Sequence, residues 1–418
     1  MKKLLFTLFI IAGFTNYAQT RISGKVIDSD NIPLIGAAVY LNNTSIGTTT
    51  DYLGEFELYI KAGVHDLIVS YLGYETIKYQ IDTHNPVKKI TFKTKEMGNV
   101  LDEIILQNKK YTAEDRASFL SKFMKSFIGE TIFSKRSKIQ NLEVIKFHYD
   151  SLHNILEAYA SKPIKIINKD LGYEIYYDLI EYELSSKKIT YLGYSRYEEI
   201  GGSRSKQRKW QKNRQRAYNG SLMHFIRAAR NGTLYKEGFV INQSKRVLNT
   251  KRPSDSVLEK TRKYFHKFIQ NKKMIKPQQF KNSTDINTLN LETNSLLTKN
   301  KKDSIMGILK KARLKKYVDI KIKDCLTEKD FLTYNRNLVT LKFKHHLDIL
   351  FMNEKEEYNF RKGPNRLNYQ NSKIILFAEN VLLDPSGIFI EPLDVFTEGY
   401  WGYEKIADAL PLDYIPEK

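Results

Sequence analysis

The feature that most constrains the fold is a regular alternation of apolar and polar residues over positions 21–107. In the segment 55–60, Phe56, Leu58 and Ile60 alternate with polar residues, so one side of a strand is apolar and the other faces water. Six further segments show a similar pattern: 22–27, 37–41, 66–72, 76–81, 89–93 and 100–106. Such strands, with turns about every eight to twelve residues, are typical of a sandwich. We therefore predict an antiparallel β-sandwich over 21–107.

One turn of this sandwich can be predicted in detail from the string Asp51-Tyr52-Leu53-Gly54. An aspartate at the first position of a turn accepts hydrogen bonds from the backbone amides that follow it, and glycine readily adopts a positive φ. We expect Asp51 and Gly54 to have these structural roles and to direct Phe56 into the core.

Composition indicates a folded, basic protein with more than one core. The chain has 418 residues, 12% of them aromatic, which at typical domain sizes corresponds to about two or three cores. Its single cysteine, Cys325, excludes an intrachain disulfide and a cysteine-based metal site. There are 68 Lys and Arg against 47 Asp and Glu, which gives a formal net charge of +21.

The first residues have the pattern of an export signal. A basic Met1-Lys2-Lys3 precedes an apolar run at 4–14, and the small residue Ala18 stands at a suitable cleavage point. We predict a signal peptide at 1–18. The apolar run is shorter than the roughly 18 residues that span a bilayer, and no later window is suitable for a transmembrane helix. We therefore expect an exported protein, in the periplasm or associated with the outer membrane or cell surface, without a transmembrane segment after signal removal.

Residues 112–418 are predicted to form a second, β-rich α+β region with a few helices, so the chain as a whole is mainly β. An amphipathic helix at 112–129 carries Phe119, Phe123 and Phe127 on one stripe. Strand patterns follow at 144–149, 155–160, 163–168, 173–184, 188–197 and 338–352. Helical spacing begins after Gly202 and ends near 230. A polar insertion at about 242–311 contains a predicted helix, 255–271, and a predicted loop, 276–298.

Several strings within 21–107 resemble a known family. They are Ser23-Gly24-Lys25-Val26, Pro33-Leu34-Ile35-Gly36-Ala37-Ala38-Val39, Thr50-Asp51-Tyr52-Leu53-Gly54-Glu55-Phe56 and Val69-Ser70-Tyr71-Leu72-Gly73-Tyr74. This segment resembles the carboxypeptidase-regulatory-like domain, a prealbumin-type sandwich common in exported proteins of Bacteroidota. In that group the domain also stands before the plug of many TonB-dependent receptors, and 101–105 resembles the strand that ends it there.

The resemblance does not imply a receptor or a peptidase. About 300 residues follow the sandwich, too few for a plug and a 22-stranded barrel. Metallocarboxypeptidases carry a His-x-x-Glu zinc motif in a separate catalytic domain, and this chain has none. We expect no metal site and no cofactor.

Strings in the second region resemble a pattern found behind the same sandwich in Bacteroidota proteins called carboxypeptidase-like regulatory domain-containing proteins. The strings include Leu171-Gly172-Tyr173, Lys209-Trp210-Gln211-Lys212-Asn213-Arg214, Ala217-Tyr218-Asn219-Gly220-Ser221, His224-Phe225-Ile226-Arg227-Ala228 and Gly399-Tyr400-Trp401. The resemblance supports a family identification but implies no activity.

The best candidate site is the basic segment 204–216, which has seven Lys and Arg within thirteen residues and no acidic residue. Guanidinium groups beside aromatic rings suit phosphate, sulfate, carboxylate or sugar ligands. The amides of a helix at 221–229, capped by its first residue, could also receive an anion. The candidate anion-binding residues are Lys209, Trp210, Lys212, Arg214, Tyr218, Ser221 and His224. The alternative is a helix pair whose aromatic stripe is core, with solvated charges opposite and Arg214 in a structural ion pair.

Three hypotheses about function follow. We favour a non-catalytic envelope protein that binds a glycan, a lipid headgroup such as that of lipopolysaccharide, or a protein partner. The first alternative is a hydrolase, in which two of a small set of groups would meet in a pocket with raised pKa values: Asp150, Glu181, Glu198, Asp408 and His224. The second alternative is an accessory protein of a TonB-dependent transport system. Nucleic acid is not expected as a partner, because an export signal directs the chain away from the cytoplasm.

Overall fold

The computed structural model describes residues 19–85, 89–97, 111–270, 299–335, 338–360 and 368–417. The predicted signal peptide (1–18), the predicted strand at 100–106 and the predicted loop at 276–298 lie outside the described residues. The chain divides into two compact units. The first comprises Met1–Val240, Leu332–Lys342 and Ile349–Lys418, and the second comprises Ile241–Phe331 and Phe343–Asp348.

The first strands of the chain form two small sheets around one core. The strands are β1 (Gln19–Ile27), β2 (Ala38–Leu41), β3 (Gly47–Thr49), β4 (Glu55–Lys61), β5 (Val64–Ser70), β6 (Ile77–Asp82) and β7 (Ile90–Lys93). One sheet has the order β4-β1-β7 and the other β3-β2-β5-β6. Buried side chains such as Ile22, Val39, Phe56 and Leu67 form the core. The chain is mostly β with an N-terminal sandwich, as predicted. One pairing departs from the antiparallel pattern, because β1 and β7 are parallel.

The turn before β4 has the geometry that its sequence predicts. Asp51 Oδ1 accepts hydrogen bonds from the backbone amides of Leu53 (2.9 Å) and Glu55 (2.8 Å). Gly54 has a φ of +73°, and a Cβ at this position would lie 2.6 Å from the carbonyl oxygen of Val26. Only glycine therefore fits here without displacing β1.

A larger sheet follows and contains the longest strands of the chain. Its members are β8 (Ser137–Ile139), β9 (Ile145–Asp150), β10 (Ile155–Ala160), β11 (Ile164–Asn168), β12 (Tyr173–Leu184) and β13 (Ile189–Glu199). β8, β11, β12, β10 and β9 lie in that order, and β13 also pairs with β12. α1 (Ala113–Phe123) packs on this sheet through Phe119 and Phe123. Thr112 and Asp115 form a capping box at its start, and a π-helical turn, Met124–Ile128, continues it.

Further elements of the first unit include two helices, several short strands and one helical turn. They are α2 (Arg204–Tyr218), α3 (Leu222–Asn231), β16 (Leu332–Asn335), β17 (Leu338–Leu341), β19 (Tyr369–Leu376), β20 (Val381–Leu383), β21 (Val395–Gly399) and α6 (Tyr400–Tyr403). β17 lies between β16 and β20, and β19 pairs antiparallel with β21.

The second unit contains α4 (Asp255–Gln270), α5 (Lys299–Ala312) and β15 (Tyr317–Lys323), with most of β14 (Phe239–Leu248). β14 and β15 are antiparallel, with Lys245 opposite Ile320. The described residues of the predicted insertion at 242–311 lie in this unit.

One predicted strand is divided in the structure. The sequence predicts a continuous strand at 338–352, whereas β17 ends at Leu341 and β18 (His346–Lys355) begins five residues later. His345 has a φ of +68°, which is incompatible with an extended strand and breaks the alternation there.

The sandwich is fixed to the larger sheet by the polar turn between β2 and β3. The backbone amide of Asn43 donates to the carbonyl of Ser195 (2.7 Å), and the amide of Tyr197 donates to the carbonyl of Thr44 (2.9 Å). The amide of Leu412 donates in turn to the carbonyl of Asn43 (2.7 Å). These backbone hydrogen bonds, which include an isolated parallel β-bridge between Thr44 and Arg196, connect the sandwich to the region that follows it.

Candidate functional site

The inner face of α2 binds the turn between β11 and β12. The Trp210 indole N–H donates to the carbonyl of Lys169 (3.0 Å), and the Asn213 side-chain amide donates to the carbonyl of Asp170 (2.7 Å). The Arg214 guanidinium donates to the next two carbonyls, those of Leu171 and Gly172, at 2.8 and 3.4 Å. Four consecutive carbonyls of one turn are therefore satisfied by three side chains spaced along one helix.

Arg214 lies at the centre of this contact and is 8% exposed. Its guanidinium carbon is 3.9 Å from the centroid of the Tyr173 ring, and Nη1 lies 2.6 Å from a carboxylate oxygen of Glu199. These partners occupy the guanidinium group, so Arg214 has a structural ion pair and a cation–π contact in this structure.

Two glycines allow Trp210 to approach the turn. A Cβ at Gly172 would lie 2.3 Å from the indole, and a Cβ at Gly202 would lie 2.6 Å from it. Gly172 also has a φ of +72°, where a side chain is strained. The string Leu171-Gly172-Tyr173 and the string around Trp210 are thus two halves of one packing contact.

The other candidate residues also have partners within the protein. Tyr218 is buried, with the Arg227 guanidinium carbon 5.6 Å from the centroid of its ring. Ser221 caps α3, because its Oγ accepts from the amide of His224 (3.2 Å). The amide of Gly220 donates to His224 Nδ1 (3.0 Å), so Nε2 carries the proton and donates to Glu237 (2.6 Å). Burial lowers the pKa of His224, although the carboxylate of Glu237 acts in the opposite direction.

The outer face of α2 is different, because its charged groups are exposed. It carries six exposed cations: Arg204, Lys206, Arg208, Lys209, Lys212 and Arg216. Lys209 lies 3.9 Å from Asp170, and Arg216 lies 4.0 Å from Glu357. No other member of the set is within 4.0 Å of a carboxylate in the described ranges. We call these six residues the basic face of α2. Of the seven candidate residues, Lys209 and Lys212 belong to it, and the other five have the internal contacts given above.

The groups of the hydrolase hypothesis are dispersed among unrelated partners. Asp150 binds His153 (2.5 Å), and the pKa of Asp150 is lowered by this hydrogen bond. Glu198 pairs with Arg196, and Glu181 is exposed. Asp408 accepts from the Thr131 hydroxyl (3.1 Å). No hydrogen bond or ion pair joins any two of these groups or joins one of them to His224, whose carboxylate partner is Glu237.

Asp408 lies in a group of carboxyl side chains around α6 whose other members, Glu357 and Glu404, were not predicted from the sequence. Burial raises the pKa of Asp408 to about 7 and that of Glu404 well above its ordinary value. Burial also raises the pKa of Glu357. Its carboxylate accepts hydrogen bonds from the amide of Ile132 (3.0 Å) and the hydroxyl of Tyr403 (3.3 Å). Acidic residues within an aromatic stretch were the available sequence evidence. Within the described ranges, no three His, Cys, Asp or Glu side chains are grouped so as to hold a metal ion.

Comparison with known proteins identifies the first domain. Residues 22–106 match the model of the CarboxypepD_reg-like domain family. A TonB-dependent receptor of Formosa agariphila is 32% identical over 103 residues, which cover 25% of this chain and 9% of the receptor. TonB-dependent receptor SusC of Bacteroides thetaiotaomicron is 31% identical over 88 residues, which cover 21% of this chain and 8% of the receptor.

Among solved structures, the crystal structure of a 9R-lipoxygenase from Cyanothece is 11% identical and covers 53% of this chain and 48% of its own, with a TM-score of 0.13. This score is too low to indicate a shared fold. The similarity to the receptors is confined to the first domain, and the matched segments are less than a tenth of either receptor. Residues 22–106 of this chain are therefore a CarboxypepD_reg-like domain, similar in sequence to a short segment of Bacteroidota TonB-dependent receptors.

Proposed function

We propose that this chain is an exported, non-catalytic protein of the cell envelope, and that the basic face of α2 binds the phosphate groups of an anionic glycolipid such as lipopolysaccharide. The observation that carries the proposal is the exposure of six cations on one helix, only two of which lie within 4.0 Å of a described carboxylate. An unneutralised cationic surface attracts anionic partners over long range.

The position of these cations on α2 supports a role outside the fold. Arg204 and Lys206 stand in the first turn of the helix, which has no acidic residue, and Ser203 makes no capping hydrogen bond. Cations at the positive end of the helix dipole each cost about 0.3–1 kcal/mol when exposed. The fold would be more stable with neutral or acidic residues there, so these cations are better explained by an external anion.

The proposed location rests on two observations. The first domain resembles a segment of TonB-dependent receptors, and the first 18 residues have the pattern of an export signal. Among the described helices, none combines the length and apolar character that a membrane crossing requires.

The experiment compares binding to immobilised lipopolysaccharide at low ionic strength. In Lys209→Glu/Lys212→Glu, the net charge falls by four at two exposed positions, and the 3.9 Å contact of Lys209 with Asp170 is lost. Since each basic residue near an anionic surface contributes about 1 kcal/mol, we expect affinity to fall at least about 30-fold. Binding of the wild-type protein should also weaken as salt is added.

The matched control is Lys187→Glu/Lys188→Glu, which makes the same change of charge at the exposed turn between β12 and β13. Its affinity should stay much closer to that of the wild type. If both variants lose affinity equally, binding depends on net charge alone and the basic face of α2 is not the site. Equal binding of the wild type and the α2 variant would also refute the proposal.

A second candidate function is that of an accessory to a TonB-dependent receptor. The similarity of the first domain to receptor segments favours it. Crosslinking in intact envelopes distinguishes the two proposals, because an accessory should crosslink to a receptor through residues 22–106. If the crosslinks instead join only the basic face of α2 to glycolipid, the first proposal is favoured.

A further inference from the structure

A cavity of about 290 Å³ lies where the π-helical turn after α1 meets the end of β12 and the residues of α6. Six of its eight lining residues are polar or charged, although most of the exposed lining surface is apolar. The six are Lys122, Lys125, Ser126, Glu130, Tyr403 and Lys405, and the other two are Leu184 and Gly402. This volume is near the lower limit for small-molecule sites, which begin at about 300 Å³. The space exceeds what a simple inorganic ion fills.

The charged lining residues are mainly cationic, with three lysines against one glutamate. The carboxylate is that of Glu130, which forms an exposed ion pair with Lys125 at 3.1 Å. Lys122 has no carboxylate within 4.0 Å in the part of the chain that the structure describes, and its ammonium nitrogen lies 5.9 Å and 5.7 Å from the ring centroids of Phe119 and Tyr149. Aromatic faces stabilise an ammonium group without neutralising its charge, so the cavity keeps a net positive charge.

Lys405 is the partly buried member of the set. Its stem packs on Gly129, where an added Cβ would lie 3.1 Å from the Cβ of Lys405. Its ammonium group makes no ion pair within 4.0 Å among the residues that the structure describes. Burial lowers the pKa of Lys405, while Asp408 and Glu404 act in the opposite direction. A partly buried ammonium group without an ion-pair partner is unfavourable, and a bound anion would reduce this cost.

Neutral polar groups of the cavity are held in fixed positions. The Ser126 and Tyr182 hydroxyls are 2.6 Å apart, and Ser126 also donates to the carbonyl of Lys122 (2.7 Å). Tyr403 is fixed by its hydrogen bond to the carbonyl of Glu130 (2.8 Å). A hydroxyl and an aromatic side chain beside ammonium groups suit a ligand that has both an anionic group and a polar body.

We infer that this cavity binds a small anionic sugar, with its phosphate or carboxylate group held by Lys405, Lys122 and Lys125 and its hydroxyl groups near Ser126 and Tyr403. The site is separate from the basic face of α2, since the two share no residue. The inference does not depend on the proposed binding to lipopolysaccharide.

Calorimetric titration of the whole chain tests the inference with four probes: glucose 6-phosphate, glucuronate, glucose and inorganic phosphate. We expect at least one anionic sugar to bind saturably, and glucose and inorganic phosphate each to bind at least tenfold more weakly. The two anionic sugars distinguish a phosphate ligand from a carboxylate ligand. Equal binding of glucose would refute the role of the charge. Equal binding of inorganic phosphate would refute recognition of a sugar, and no saturable binding of either anionic sugar would refute the site.

Two variants locate the binding. We take the anionic sugar that binds the wild type more tightly as the probe. Its binding should be at least tenfold weaker in Lys405→Gln and in the exposed pair Lys122→Gln/Lys125→Gln. The control Lys138→Gln/Lys146→Gln removes two exposed charges from β8 and β9, and it should bind like the wild type. Because Lys122 and Lys125 are exposed, we expect their substitution to leave the folded state intact. This variant therefore decides the test even if Lys405→Gln does not fold. Wild-type affinity in the Lys122/Lys125 variant would overturn the inference.

Discussion

The two faces of α2 place similar residue types in opposite environments. On the inner face, Arg214 is 8% exposed and donates to two backbone carbonyls. On the outer face, Lys206 and Lys212 are exposed, with no carboxylate of the described chain within 4.0 Å. A cation beside an aromatic ring is thus a structural connector on one side of the helix, and a cation without internal partners is available to a ligand on the other.

This difference explains why the sequence pattern around Trp210 is ambiguous. A guanidinium group donates equally well to a phosphate, a carboxylate or a backbone carbonyl. Residue types and helical spacing do not specify which acceptor is present. In this fold the acceptors are the carbonyls of residues 169–172, which come from a turn more than thirty positions earlier in the chain.

The largest expected change in stability follows from removing Arg214, the cation on the inner face of α2. Arg214→Ala leaves the carbonyls of Leu171 and Gly172 without this donor and removes the contact with the Tyr173 ring. We expect a loss of about 3 kcal/mol in the free energy of unfolding, measured by urea denaturation. Lys212→Ala, on the outer face of the same helix, should change it by less than about 0.5 kcal/mol. Similar losses in the two variants would show that the faces do not differ energetically.

A slightly smaller effect is expected at the turn that the inner face contacts. Gly172→Ala places a Cβ at a φ of +72° and within 2.3 Å of the Trp210 indole. We expect a destabilisation of about 2–3 kcal/mol by thermal or chemical denaturation. Gly201→Ala is the matched control, because its Cβ would meet nothing within 4 Å. If Gly172→Ala were as stable as this control, the close packing of Trp210 on the turn would be wrong.

Local patterns predicted much of the fold but little of how its parts meet. Alternation located six of the seven described strands of the sandwich to within about three residues, and the predicted bounds 155–160 and 173–184 coincide with β10 and β12. The short strand β3 was not predicted, and the predicted strand at 100–106 lies outside the described residues. The position of Ser221 at the start of a helix also follows from its residue type. The division of 338–352 was missed, because a positive φ at a histidine has no clear sequence pattern.

Long-range contacts could not be predicted in this way. The pairing of His224 with Glu237, the contacts of Arg214 with the turn at 169–172, and the buried carboxyl groups beside Asp408 all depend on the tertiary arrangement. Among the candidate site residues, Lys209 and Lys212 are the two for which the sequence suggests both charge and exposure. Their binding role remains a prediction.

The same contrast between buried and exposed groups can be tested with an acid, Asp408. The expected effect is a change of about 2 kcal/mol in how the free energy of unfolding depends on pH. Burial raises its pKa from 3.8 to about 7. Between these values the folded state binds more protons than the unfolded state, so the free energy of unfolding falls as pH rises from about 4 to about 7. Asp408→Asn should remove about 2 kcal/mol of that fall between pH 5 and pH 8, measured by urea denaturation at each pH.

Asp150 provides the exposed control for Asp408. Its pKa is lowered by His153, so it is ionised in both states above pH 5, and Asp150→Asn should leave the slope of stability against pH unchanged. An unchanged slope in Asp408→Asn as well would show that Asp408 is not held in its neutral form by burial.

The smallest expected effect compares two tyrosine–carboxylate hydrogen bonds, one buried and one exposed. Tyr40 is 1% exposed and donates to Asp178 (2.6 Å), joining the sandwich to β12, and burial raises the pKa of Asp178. Tyr59 is 53% exposed and donates to Glu57 (2.5 Å). Removing a buried donor leaves its acceptor poorly solvated, whereas water replaces an exposed one. We therefore expect Tyr40→Phe to lower the free energy of unfolding by about 1–2 kcal/mol and Tyr59→Phe by less than about 0.5 kcal/mol. Equal effects would mean that water reaches the joint between the sandwich and β12, and that its hydrogen bonds resemble those of the surface rather than those of the inner face of α2.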